Sequence, residues 1–238
     1  MKYLKRVRGA LYFLCCLLFL GVSVGYATTP DTTDKNRPKN LKLVHEEPDG
    51  KGNLVRIIQY NKGNMRVTET IIMPIKKKYN TYVPVNPDTI NKDSVYLVIN
   101  KSDYTLQVRY RKKVLRSYKA TFGPNPQENK CMEGDRCTPE GWFRISGYNP
   151  RSKYHRFLRI NYPNDSTYIR FKYLKEKGII PMHARIGGDI GIHGVWQGGD
   201  DLIELGVGWT DGCIALKNKD IEELCSLVGI GTRVYIGK

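Results

Sequence analysis

Two absences narrow the chemistry at once. The 238 residues include four histidines, His45, His155, His183 and His193, and no two of the six cysteines stand as C-x-x-C. A zinc site needs closely spaced Cys or His pairs with a second pair in reach, and a thioredoxin-like redox site needs the C-x-x-C itself. No metal and no cofactor is expected. Acids are also scarce, 23 against 39 basic residues, and the loop carboxylates Asp135 and Glu140 form no glycosidase signature by spacing alone. No repeat recurs at a solenoid-like period. The basic residues are not interleaved with aromatics in a stripe, as a nucleic-acid groove requires, so no nucleic-acid partner is expected.

What is present begins with an N-terminal segment that does not read as part of a fold. Lys2, Lys5, Arg6 and Arg8 precede an uncharged run over 9–30, most apolar over 10–24. That run is short for a bilayer span, and Gly25-Tyr26-Ala27 approximates an A-x-A cleavage site. The reading is a signal peptide over 1–27, with an uncleaved signal anchor as the rival and membrane contact only in that case. Cys15 and Cys16 lie too deep in the run for a lipobox. The working part is thus expected to be exported to the cell envelope, the periplasm. Losing four basic residues takes the net charge from +16 to about +12, which suits an anionic envelope polymer or surface.

Residues 28–40 read as a flexible leader and 41–93 as a small β-rich appendage. Within the appendage, "NLVRIIQY" and "NMRVTETIIM" flank "NKGN" as a hairpin does, with Gly63 and Asn61 or Asn64 available for positive φ. From 94 to 238 come short runs with strand alternation, such as "VYLVINKS", "YTLQVRY" and "GWFRISGY". Two segments invite a helix: 166–178, and 218–229 with Asn218 as N-cap. On the second, Ile221, Leu224, Cys225 and Val228 share a face, which makes Cys225 a packing residue. The class is mainly β with a few helices, α+β. "CMEGDRC" lets Cys131 and Cys137 close a small loop as a disulfide, with two free thiols as the other reading.

Cys213 is different. It follows Asp211-Gly212 and opens an apolar segment, and His193 stands about twenty residues earlier with Gly on its strand and Gly194 after it. A free thiol is only a few per cent thiolate at neutral pH. An imidazole on a neighbouring strand edge can take its proton to give a thiolate–imidazolium pair. Gly212 and Cys213 offer backbone amides at the turn for a tetrahedral oxyanion.

"IHG" followed by "TDGCIALKN", with "EGDRCTPEGWFRI" upstream, resembles the YkuD-type L,D-transpeptidase family over about 94–238. "LRINYPN" and "GGDIGIHG" look most like its YafK-like branch. The resemblance implies a β-sandwich or barrel catalytic domain, with Cys213 as nucleophile and His193 as base. It further implies amides from Gly212 and Cys213, with Gly194 and Thr210 lining or supporting the site. The implied substrate is the stem peptide of peptidoglycan. A thioester forms on loss of D-alanine and is resolved by an amine, from another stem peptide or an anchored envelope protein.

Two positions depart from the family pattern. Asp211 stands where many members have His, and Ala215 where many have Arg. These leave a hydrolase of the same fold open as an alternative, a non-catalytic wall-binding module being the reading from another class. Trp196 and Trp209 flank the loop between His193 and Cys213 and are candidates to wall a substrate groove. Asp200, Asp201 and Glu204 read as a solvated acidic loop, and His183 as a surface residue.

Overall fold

The computed structural model describes residues 37–75 and 83–238. The expected export signal and most of the leader lie outside these residues. Among the described residues no helix is long and apolar enough to cross a membrane.

The larger sheet is built from β4 (Val95–Asn100), β5 (Thr105–Tyr110), β6 (Lys113–Lys119), β7 (Gly141–Ser152), β8 (His155–Ile160), β9 (Gly191–His193), β10 (Ile214–Ala215) and β11 (Arg233–Gly237). Its order is β10-β9-β8-β7-β11-β4-β5-β6. Beyond β6 the chain stays extended to Thr121, which exchanges both backbone hydrogen bonds with Ala215 of β10, at 2.9 and 2.8 Å. The two edges of the sheet therefore meet, and the sheet closes on itself as a barrel does. Closure follows from strict alternation. Val95, Leu97 and Ile99 of β4 point inward with Leu106, Val108, Phe143, Ile145, Val234 and Ile236, all buried. Each such side chain contributes roughly 2 kcal/mol by leaving water.

Three helices complete the fold: α1 (Asp165–Glu176), α2 (Asp200–Leu205) and α3 (Asn218–Leu227). The α3 helix seals the barrel interior with Ile221, Leu224 and Leu227, and half-buried Cys225 packs against the same core. Its cap differs from the sequence expectation. Lys217 is the N-cap residue, because the Asn218 side chain is committed elsewhere, accepting the Val195 amide at 2.8 Å. The acidic stretch expected as a loop is α2. Asp200 accepts the Asn218 amide at 3.1 Å, and Glu204 pairs with Lys217, so these acids hold structure together.

A separate antiparallel sheet comprises β1 (Lys39–Pro48), β2 (Asn53–Lys62) and β3 (Met65–Pro74). The β2–β3 hairpin turns at Gly63, φ +58°. Strand β1 begins inside the stretch read as leader, since its mostly exposed side chains leave no apolar alternation to find. Ile58, Tyr60 and Ile71 of this sheet pack on Leu202 and Val207, with Trp196 and Trp209 at the margin. Arg56 of β2 donates to the Glu204 carbonyl at 2.8 Å, at the C-terminal end of α2, where the helix dipole favours a cation. The small sheet thus rests on the segment that joins β9 to β10.

Candidate active site

Strands β9 and β10 are parallel neighbours, Ile214 beside Ile192 and Ala215 beside His193. Parallel neighbours need a crossover, here α2 and its flanking loops. Alternation puts Ile192 and Ile214 into the barrel and turns His193 and Ala215 outward. Carried one residue back, it puts Cys213 on the outward face as well, one diagonal step from His193. For strand spacing and rise of ordinary size, that step is about 8 Å between Cα atoms. The sequence-selected pair is therefore brought to one face.

His193 is buried, and its Nδ1 lies 2.6 Å from the Gly194 carbonyl oxygen. A carbonyl only accepts, so Nδ1 carries the proton and Nε2 is left with a lone pair. Tyr154 and Phe157 stack near-parallel to the ring, centroids 4.9 and 5.9 Å away, and Trp209 meets it edge-on at 5.5 Å. This dry aromatic cage disfavours an imidazolium. Burial lowers the pKa to about 4, against the smaller opposing pull of the Gly194 carbonyl.

The Cys213 thiol donates to the Asp189 carbonyl at 3.5 Å. Burial is the largest influence on it, raising its pKa to about 11. The Asp211 and Asp189 carboxylates add to this, while hydrogen bonding from Gly191 and the charge of Lys130 oppose it. The resting pair is therefore a neutral thiol and a neutral imidazole. The proton transfer expected from the sequence therefore starts from two neutral groups, because burial penalises both charges.

The turn before Cys213 is tied by Thr210. Its buried hydroxyl donates to the Cys213 carbonyl at 2.7 Å and receives the Gly212 amide at 3.3 Å. Gly212 is thus partly engaged rather than an idle oxyanion donor, whereas the Cys213 amide has no partner among the described residues. Gly212 has φ +125°, and a Cβ there would stand 2.6 Å from the Cys137 carbonyl. Gly194 is explained by packing: a Cβ would reach within 2.3 Å of Asn218 Oδ1.

Asp211 is turned out to solvent and receives Arg136 Nε at 3.0 Å. The same guanidinium donates to the Trp209 carbonyl at 3.3 Å. Ala215 is fully buried against Val195 and Ile203, where an Arg side chain has no room. Trp196 and Trp209 meet edge-to-face at 5.1 Å, and the Trp209 indole N–H is buried with no acceptor among the described residues. His183 is exposed. Cys131 and Cys137 are free thiols. Their loop is held instead by the Asp135 carboxylate, which accepts the amides of Cys131, Met132 and Cys137 at 2.6, 2.9 and 3.0 Å. Glu140 is the partner of Lys101, fully buried, at 2.7 Å. Arg136, Tyr154, Phe157 and Asn218 were missed as site residues. "EGDRC" carried the first as a family segment, but nothing in it shows that Arg136 reaches Asp211.

Residues 94–236 match the family model of the L,D-transpeptidase catalytic domain, YkuD. The chain belongs to this family. Solved structures similar to this L,D-transpeptidase-family chain include an L,D-transpeptidase from Xylanimonas cellulosilytica, 17% identical, TM-score 0.39, covering 62% of each chain. L,D-transpeptidase 1 of Mycobacterium tuberculosis is 12% identical, TM-score 0.38, covering 86% of this chain and 88% of that one. An L,D-transpeptidase from Mycobacterium smegmatis is 14% identical, TM-score 0.38, covering 89% and 88%. The chain thus spans about three fifths of the first of these. A search of curated proteins finds no match. The assignment rests on the family match, which covers the barrel and leaves β1–β3 outside it.

Proposed function

We propose that the chain is an exported cysteine L,D-transpeptidase that acts on peptidoglycan stem peptides through a thioester. The observation that carries this reading is the Nδ1 bond of His193. It fixes the tautomer whose bare Nε2 can accept a proton, on the face that Cys213 shares.

With both groups neutral at rest, the proton moves as the bond forms. Sγ attacks the stem-peptide carbonyl while Nε2 takes the thiol proton, acting as general base. The carbonyl oxygen becomes an oxyanion that the Cys213 amide meets, and the Gly212 amide joins it on releasing its long bond to Thr210. The imidazolium then returns its proton to the departing D-alanine amine. An incoming amine attacks the thioester, loses its proton to Nε2, and leaves Cys213 as a thiol. The buried Trp209 N–H is a donor that a substrate carbonyl can satisfy. The acceptor is a second stem peptide or an anchored envelope protein. Export is proposed from the basic and apolar N-terminal segment, and the periplasm is the compartment in which the substrate lies.

Hydrolysis by the same site is the second reading, favoured by Ala215, which removes the family's usual guanidinium. Arg136 bears against it by delivering a guanidinium to the catalytic turn from another loop. Incubating purified peptidoglycan with the wild type and with Cys213→Ala separates the two. New cross-linked muropeptides that depend on Cys213 support transfer, and shortened or released peptides without cross-links contradict it.

A further inference from the structure

The outer face of the barrel over β7, β11, β4 and β5 carries two rows of side chains set by strand register. One row is Trp142, Tyr235, Val98 and Gln107, and the next is Arg144, Arg233, Tyr96 and Arg109. Phe143, Val234 and Leu97, between the rows in sequence, point inward. Trp142, Tyr235 and Val98 of the first row and Arg233 and Tyr96 of the second line an open groove of about 620 Å³, with Ser94, Asp93 and Arg111 also in its lining.

Its composition is unusual for a solvated sheet face, which normally alternates to polar residues. Trp142 and Tyr235 are 53% and 38% exposed, with ring centroids 5.1 Å apart. The Arg233 guanidinium lies 5.8 Å from the Tyr96 ring and 5.9 Å from the Trp142 ring. Among the described residues Arg233 and Arg111 lie over aromatic rings, Arg111 5.5 Å from that of Tyr110, and Asp93 is the one acid in the lining. An uncovered aromatic patch beside guanidinia marks a binding surface. The charge calls for an anion, and guanidinium forks suit carboxylates.

We propose that this groove binds an acidic glycan. Sugar rings lay their C–H faces on Trp142 and Tyr235, while carboxylates on the chain meet Arg233 and Arg111. Four strands make three spacings, roughly 14 Å, which is the length of an oligosaccharide rather than of one sugar. The surface also leads toward the thiol. Arg159 of β8 is exposed, pairing with Gly147 on β7 and with Gly191 on β9. Gly191 is the residue beside which Cys213 lies. Exposed ring faces flanked by guanidinia suit the alternating apolar faces and carboxylates of one acidic sugar chain.

The test uses the full chain and peptidoglycan glycan strands stripped of their peptides, which leaves the muramyl carboxylates free, with retention read by affinity electrophoresis. The wild type is expected to be retained, less so as salt rises. The double variant Trp142→Ala with Arg233→Gln is expected to bind about tenfold more weakly, with its thermal midpoint unchanged. Neutral N-acetylglucosamine oligomers should bind more weakly than the acidic strands. No retention of the wild type, equal retention of the double variant, or binding only to anionic vesicles or a single-stranded oligonucleotide would overturn the proposal. Acylation of Cys213 by a carbapenem, measured on the same samples, reports the catalytic reading separately. Glycan retention without acylation sinks that reading and leaves this one standing, and acylation without retention does the reverse.

Discussion

His193 gives its Nδ1 proton to the carbonyl of the next residue, Gly194, at 2.6 Å. This short-range bond decides which nitrogen is left for chemistry, and the aromatic cage keeps the ring neutral.

The cage also predicts acid sensitivity. The folded pKa is about 4 against 6.5 for an ordinary histidine, so below pH 6.5 the unfolded chain takes up a proton that the folded chain refuses. The stabilisation is complete above pH 6.5, falls as pH drops, and levels off below about 4. Its size is roughly 3 kcal/mol at about 1.4 kcal/mol per unit. Urea midpoints across this window should fall less in His193→Phe than in the wild type, and parallel curves would contradict the neutral buried ring.

Asp211 and Arg136 should act on the thiol in opposite directions. The Asp211 carboxylate raises the Cys213 pKa, and Arg136, paired with that carboxylate at 3.0 Å, is expected to offset it. Alkylation rate against pH should shift to lower pH in Asp211→Asn and to higher pH in Arg136→Ala. The Arg136 effect should vanish in the double variant, and independent shifts would show that the pair is not what links them.

Gly194→Ala should disturb the site without touching the reacting atoms. The added methyl would meet Asn218 Oδ1 at 2.3 Å, displacing the acceptor of the Val195 amide. A loss of about 1–3 kcal/mol is expected from overpacking of this kind. Asn218→Ala in the same background should recover part of it by making room, as read by denaturant midpoint. No recovery would point to backbone strain instead.

Lys101 pins the loop that carries Arg136 and Cys137. Its buried ammonium donates to the Glu128 carbonyl at 2.7 Å and pairs with Glu140 at 2.7 Å. Burial lowers its pKa, and Glu140 opposes that. Lys101→Met leaves Glu140 and the carbonyls without their cation and should cost about 3–5 kcal/mol. Adding Glu140→Gln should return part of this in chemical denaturation.

The sequence carried the barrel legibly wherever a strand alternates, as in Val95, Leu97 and Ile99, and it carried Cys213 and His193 through their flanking glycines. It did not carry β1, whose side chains are mostly exposed on both faces. The α2 helix was also hidden, because its acids look solvated until Lys217 and the Asn218 amide are brought to them through space. The resting protonation states were not legible for a related reason. Pairing of Cys with His suggests an ion pair, but Tyr154, Phe157 and Trp209 come from distant segments to dry the ring. The Asn218 cap failed because a side chain that caps a helix in isolation found a better-placed amide on Val195.

Intact-mass measurement after incubation with a carbapenem tests the central claim most directly. The wild type should gain one adduct, with Cys213→Ala gaining none and His193→Phe, which keeps the thiol but lacks the base, gaining it far more slowly. A wild type that stays unmodified, or an adduct that survives Cys213→Ala, would contradict the account.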